Sequence, residues 1–250
     1  MPLLRKLARE HQPDVVCLQE IKVADAGFPL KSIRRLGYEH TAVNGQKGYH
    51  GVAILSRLPL SRIDAREFCK RGDARHMSVT LPGGIELHNF YVPAGGDIPD
   101  AKINEKFRHK LRFLDEMEAC FAKMDAKGSA ARILVGDLNV APLEHDVWSH
   151  KQLLKVVSHT PPETKRLARI YASHDWIDVT RSRVPHDQKV YSWWSYRNQD
   201  WRASDRGRRL DHVWISPALK GAVTKHEILK DARDWTRPSD HVPIITEIEA

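Results

Sequence analysis

Cysteine is scarce: the 250 residues hold three, Cys17, Cys69 and Cys120, and no two form a Cys-x-x-Cys pair. That argues against a disulfide-built scaffold or a structural zinc site, and fits a reducing setting such as the cytoplasm. Cys17 lies in an apolar run and Cys120 on an expected helix, so both read as small core residues. No run approaches the roughly 18 consecutive apolar residues of a membrane helix, which excludes that class and makes a membrane partner unexpected. The opening Met1-Pro2-Leu3-Leu4-Arg5-Lys6 has no charged stretch leading into a long apolar one, so no secretory signal is expected. Repeats, low-complexity tracts and Pro/Gly/Ser-rich linkers are absent, and one domain over residues 1–250 is expected. Gly-x-Ser-x-Gly is missing, which disfavours a serine hydrolase. No heptad pattern or long exposed apolar helix argues for an oligomer, so a monomer is expected.

What is present is an ordinary globular composition, 41% hydrophobic and 29% charged, with enough apolar residues to bury a core. The formal net charge of +8 calls for an acidic partner. Nucleic acid comes first, with anionic membrane surfaces and phosphorylated small molecules behind it.

Apolar spacing predicts a helix over residues 1–11, from Leu3, Leu4, Leu7 and Ala8, and a longer one over 102–124. The stripe of the second is Ile103, Phe107, Leu111, Leu114, Met117, Phe121 and Met124. Strands are expected at Val15–Leu18, Gly51–Ser56, Ile133–Val135, Val190–Ser195, Leu210–Ser216 and Val242–Ile248. His76–Leu81 and Ile85–Val92 alternate on either side of Pro82-Gly83-Gly84, which predicts a hairpin. Strict βαβ alternation is absent, so an α+β arrangement of mixed sheets with outer helices fits better than a doubly wound parallel sheet.

Polar groups cluster at the ends of these runs, where a rigid scaffold presents side chains to a cleft. Glu20 closes the first strand, and a carboxylate there suits Mg²⁺; a solvated charge is the plainer reading. Asp137 and Asn139 follow Ile133–Val135 at a spacing that lets an acid polarise water while an amide holds a phosphate or orients the acid; a simple Asp/Asn turn is also consistent. Asp211 and the pair Asp240-His241 offer a histidine whose tautomer a carboxylate can set. The remaining histidines, such as His11, His40, His150 and His159, sit in polar surroundings and read as surface residues. Tyr191-Ser192-Trp193-Trp194-Ser195-Tyr196-Arg197, followed by Trp201, Arg202, Arg206, Arg208 and Arg209, interleaves rings with cations, as stacking on bases and gripping phosphates require. Some of these rings must face a core, since alternate strand residues point opposite ways.

Taken in order, Leu18-Gln19-Glu20-Ile21-Lys22, Asn89-Phe90-Tyr91-Val92-Pro93, Gly136-Asp137-Leu138-Asn139-Val140-Ala141-Pro142, Arg209-Leu210-Asp211-His212 and Ser239-Asp240-His241-Val242-Pro243 resemble the motifs of the exonuclease III family. These are Mg²⁺-dependent repair nucleases and abasic-site endonucleases of the endonuclease/exonuclease/phosphatase superfamily. The resemblance implies a four-layer α/β/β/α sandwich. It implies Glu20 as principal metal ligand, Asp137 as the base, Asn139 on the scissile phosphate, His241 as charge stabiliser and Asp211 as its orienter. Tyr91 would contact the phosphate or act as tyrosinate. Asp240 would be a second metal ligand, and Asp137, Asn139 and His241 complete the candidate metal set. Trp193 would line the pocket for an extruded abasic sugar, and Arg197, Arg206 and Arg208 would hold DNA. The implied cofactor is Mg²⁺, with Mn²⁺ able to substitute. The implied partner is duplex DNA with abasic sites or 3′-blocked ends, cut 5′ to the lesion or degraded 3′→5′ in a bacterial cytoplasm, at the nucleoid.

Two departures stand out. Relatives begin with a strand carrying an Asn-x-Asn motif ahead of the first helix, whereas this sequence starts at the helix, so that strand is expected to be missing. Ala94 stands where relatives often carry an amide that contacts DNA. Two other readings remain open at this point: a phosphatase or phosphodiesterase on a small or lipid phosphoester, and an inactive DNA-binding remnant.

Overall fold

The computed structural model describes residues 1–124, 130–197 and 200–249. The elements run α1 (Pro2–Glu10), β1 (Val15–Gln19), α2 (Leu30–Arg34), β2 (His40–Asn44), β3 (Val52–Ser56), β4 (Ser61–Asp64), β5 (His76–Thr80), β6 (Glu86–Tyr91), α3 (Glu105–Ala122) and β7 (Arg132–Asp137). They continue with α4 (His150–Leu153), α5 (Pro161–Ala172), β8 (Ile177–Asp178), α6 (Val179–Arg183), β9 (Trp193–Trp194), α7 (Trp201–Ser204), β10 (Gly207–Arg208), β11 (Asp211–Ile215), β12 (Val223–Ile228) and β13 (Ile244–Ile248). This is the mixed α+β class. The residues gather into two compact units, Met1–Tyr91 with Ala130–Gly136, and Val92–Ser129 with Asp137–Ala250. All seven tryptophans belong to the second.

In the first unit β3 is the centre of a three-stranded antiparallel sheet, with Gln19 of β1 and Asn44 of β2 both opposite Val52. Its Val-Ala-Ile-Leu-Ser run is buried throughout, as a strand with two neighbours and two covered faces requires. Ala8 of α1, Val16, Phe28, Ile33, Tyr38, Ala53 and Leu55 form one core beside it. The expected hairpin is present: β5 and β6 pair antiparallel from His76 opposite Phe90 to Thr80 opposite Glu86, and the turn uses Gly83 at φ 77°. β4, β5, β6 and β7 follow one another in strand order. Gly136 of β7 is dictated by this packing. Its φ is 138°, and a Cβ there would lie 2.0 Å from the carbonyl oxygen of Phe90, so no other residue fits.

In the second unit the main helices are α3 and α5. Asn104 caps α3 by accepting the Lys106 N–H at 3.0 Å, and Thr160 with Glu163 forms a capping box at the start of α5. Arg166 and Arg169 of α5 reach Asp115 and Glu118 of α3. β12 and β13 pair antiparallel, as do β8 with β11 and β9 with β10.

Several expectations are corrected here. Ile103 precedes the Asn104 cap and is 73% exposed, so it lies outside the apolar stripe of α3. The strand expected over Val190–Ser195 shrinks to Trp193–Trp194, and that over Val242–Ile248 begins at Ile244. Cys17 and Cys120 are half-buried rather than enclosed.

Candidate active site

Within the first unit a carboxylate, a phenol and a guanidinium lie together. β1 ends at Gln19, and Glu20 turns the chain with φ 51°, a left-handed conformation rare outside glycine. The turn is held by the N–H groups of Ile21 and Lys22, which donate to the carbonyls of Gly51 and His50. The Tyr91 hydroxyl donates to Glu20 Oε1, and Lys22 Nζ lies 2.6 Å from Oε2. The Glu20 side chain stays 44% exposed. Asn89, fully buried, donates to the carbonyls of Leu18 and Ala53 and accepts from Gln19 at 2.6 Å. It stitches β6 to β1 and β3 and fixes where Tyr91 begins. The Arg75 guanidinium lies over the Tyr91 ring, 5.0 Å from its centroid, and donates to the Tyr91 carbonyl at 3.2 Å. Asp73 anchors Arg75 at 3.1 Å. Burial, with Arg75 beside it, pushes the His50 ring below its ordinary pKa, while Asp73 opposes the shift. No motif in the sequence singles out Asp73, Arg75 and His50.

Within the second unit two acids and a histidine lie together. Asp137 ends β7, and the backbone N–H of Asn139 donates to its Oδ1 at 2.9 Å. Asn139 has φ 52° and donates its amide N–H groups to Asp137 Oδ2 and to the Val92 carbonyl, both at 2.9 Å. Its side chain therefore braces the acid, and those protons are turned away from the phosphate role expected of it. Burial pushes the Asp137 carboxyl up to about 7, Asp211 adds to that rise, and His241 opposes it. His241 Nδ1 is 2.8 Å from Asp211 Oδ2, and its Nε2 is 3.8 Å from Asp137 Oδ2. Burial alone would lower the His241 pKa, but Asp211 and then Asp137 outweigh it and push it up to about 10. The raised value favours the protonated ring, with Nδ1–H directed at Asp211. Ser192 completes the group: its hydroxyl donates to Asp211 Oδ2 at 2.6 Å and accepts the N–H groups of Leu210 and Asp211.

The ring-and-arginine segment divides. Trp193 is half-buried on β9, bridges to His241 across an isolated pair, and donates its indole N–H to Asp240 Oδ2 at 3.0 Å. Arg208 lies over the Trp193 ring at 5.2 Å, and its Nη1 is bound to the Val157 carbonyl and Ser158 Oγ. It is a wall, not the free phosphate grip expected of it. Arg209, grouped in the sequence with the cations suited to gripping phosphates, is fully buried and paired with Asp146 and Asp178. Arg197 and Arg206 are exposed, and Arg206 rests on Trp148 at 4.8 Å. His159 is buried rather than exposed, with Nδ1 2.6 Å from the Ala141 carbonyl and Nε2 2.7 Å from His150.

The donor chemistry fits Mg²⁺ or Mn²⁺. In the first unit Glu20 is a hard oxygen ligand of the kind these ions take; in the second, Asp137, Asp240 and the side-chain carbonyl of Asn139 are such ligands. Asp137, Asp211 and His241 bring their ligand atoms within 4.8 Å of one another.

The model of the endonuclease/exonuclease/phosphatase family matches residues 3–241. Exodeoxyribonuclease III of Haemophilus influenzae is 30% identical over 262 aligned residues, covering 98% of this chain and 94% of that protein. The solved AP endonuclease of Archaeoglobus fulgidus superposes with a TM-score of 0.89 at 26% identity, over 99% of this chain and 93% of that one. A 3′–5′ exonuclease from Neisseria meningitidis does so with a TM-score of 0.89 at 25% identity, over 100% and 94%. With the motifs in order, the fold shared along the chain and the Asp-His pair in place, this protein belongs to the endonuclease/exonuclease/phosphatase family, on its exonuclease III-like side.

Proposed function

We propose that the chain is a divalent-metal-dependent DNA-repair nuclease that hydrolyses phosphodiesters 5′ to abasic sites and removes nucleotides or blocking groups from 3′ ends. The observation that carries this reading is the Asp137–His241–Asp211 cluster: a buried acid with its pKa near 7 beside a histidine held as a cation. An acid tuned to the operating pH is what water activation requires. The names of the relatives, an exodeoxyribonuclease, an AP endonuclease and a 3′–5′ exonuclease, point to the same chemistry.

In this mechanism Asp137 accepts the proton of the attacking water, with Asn139 holding the carboxylate in place. His241 keeps positive charge where the equatorial phosphate oxygens gain electron density, and Asp211, itself held by Ser192, keeps the ring oriented and protonated. The Tyr91 hydroxyl, which donates to Glu20, holds that carboxylate in place. Glu20 is the residue that would hold Mg²⁺, which when bound would supply Lewis-acid charge to the phosphate; in the second unit Asp240 and the Asn139 side-chain carbonyl are oxygen donors of the same kind. The exposed Arg197 and Arg206 hold the DNA backbone, and Trp193 offers a flat face to an extruded sugar. The working unit is a monomer.

The test is incision of a duplex carrying one abasic site, with Mg²⁺ and with chelator. Chelator-sensitive cleavage 5′ to the lesion is expected. Phosphate release from small esters, insensitive to salt and without DNA cleavage, would sink the proposal and favour a phosphatase.

A further inference from the structure

Lys110 is an unusual residue for the buried face of α3. It lies among Phe107, Leu111, Phe113 and Leu114 and is fully enclosed. Its stem packs on Gly95 so closely that a Cβ there would lie 2.9 Å from Lys110 Cδ. All three ammonium protons are placed: Nζ donates to the Asn139 carbonyl at 2.6 Å and to the Ala94 carbonyl at 3.2 Å, and pairs with Glu163. Glu163 is equally buried and is held by the N–H groups of Ser158 and Thr160 and by the Thr160 hydroxyl at 2.5 Å.

Tying α3 to α5 does not need this pair. Arg166 and Arg169 already join those helices through Asp115 and Glu118. A buried ion pair is moreover often replaceable by apolar groups of similar volume with little loss of stability. What apolar groups cannot replace is a donor to the carbonyl of Asn139. That residue holds a left-handed turn, and its backbone and side-chain N–H groups both brace Asp137.

We infer that Lys110 is a positioning residue: its ammonium, fixed by Glu163, pins the Asn139 carbonyl and so the turn that orients the Asp137 carboxylate. This deepens the nuclease reading and rests on it for its kinetic consequence, while its structural consequence stands apart.

The experiment compares the wild-type chain with the Lys110→Met/Glu163→Gln variant. The variant is expected to melt within a few degrees of the wild type, because both charges leave together while the new side-chain amide oxygen at position 163 still accepts the N–H groups of Ser158 and Thr160 at the start of α5. Its kcat on the abasic duplex should fall about 100-fold, the scale of a misplaced reacting group, while KM changes by less than about twofold. In metal-free protein the Asn139 amide should exchange with solvent about tenfold faster, with the amides of α3 and α5 unchanged. An unchanged kcat together with unchanged Asn139 protection would overturn the inference and leave Lys110 a mere tie between helices. If the wild type cleaves no DNA, the nuclease reading fails by itself, and the exchange measurement still decides the positioning role. Should the variant not fold, the wild type decides. Its Lys110 ammonium should show scalar coupling across the hydrogen bond to the Asn139 carbonyl carbon, and absence of that coupling overturns the inference.

Discussion

Replacing Asp211 by Asn should bring the His241 charge into the working pH range. The ring nitrogen and the Asp211 carboxylate are 2.8 Å apart, and His241 sits at about 10. At the effective dielectric of about 20 suited to a partly buried pair, unit charges about 4 Å apart attract by about 4 kcal/mol, or about three pKa units. Asp211→Asn should therefore drop His241 to about 7, with Asp137 still contributing. At pH about 8 the ring would then be about nine-tenths neutral, costing at least about tenfold in kcat from charge alone, and more from lost orientation. The linkage follows the same charge. Because the folded pKa lies above the unfolded value, the cation stabilises the fold fully below pH about 6.5, and that contribution fades as pH rises toward about 10. The variant should lose most of it. The assay is a carbon-edited NMR titration of the His241 Cε1 in chelator, run beside the pH profile of abasic-site incision. A variant midpoint remaining above about 9 would refute the reasoning, since the proton would then be held by something other than Asp211.

Asp137→Asn should leave the melting temperature close to wild type, because it removes a buried acid, and should lower kcat by about 10³-fold or more; a turnover within tenfold of wild type would remove Asp137 from the base role. Arg206→Ala should weaken DNA binding across sequences and lower the slope of log K against log salt by about one, read from a salt titration of binding. Gly136→Ala forces a Cβ to 2.0 Å from the Phe90 carbonyl. It should destabilise the first unit by about 3 kcal/mol or more in urea unfolding, and a near-neutral result would contradict the close approach of β6 and β7.

Much of the first unit was legible because its signals are local. The His76–Val92 hairpin alternates on both sides of a Pro-Gly-Gly turn, and β3 is one unbroken apolar run. β2 was missed because His-Thr-Ala-Val-Asn carries too little apolar contrast for a period of two to show. The stripe of α3 was read one turn too far, since Ile103 keeps the spacing but falls before the Asn104 cap. The ordered motifs carry Glu20 and Tyr91, which meet in the first unit, and Asp137, Asn139, Asp211 and His241, which gather in the second. What they could not show is which charges are already spent. Arg208 and Arg209 look alike in a basic run, yet Arg209 meets Asp146, 63 positions away, inside the fold. Lys110 was invisible for the same reason: its partner Glu163 lies far along the chain, and only the apolar residues around it mark the position as enclosed.

The placement of tryptophan has an optical consequence. All seven indoles lie beyond residue 136, and Trp176, Trp194 and Trp214 are fully buried. Intrinsic emission excited at the indole band therefore watches the second unit alone, while the β1–β3 sheet, Glu20 and Tyr91 melt in the dark. A smooth single fluorescence transition would not certify that the chain unfolds as a whole. A far-ultraviolet dichroism curve, or a tryptophan introduced at the exposed Tyr49, is needed beside it, and any gap between the two curves would measure how far the two units melt independently.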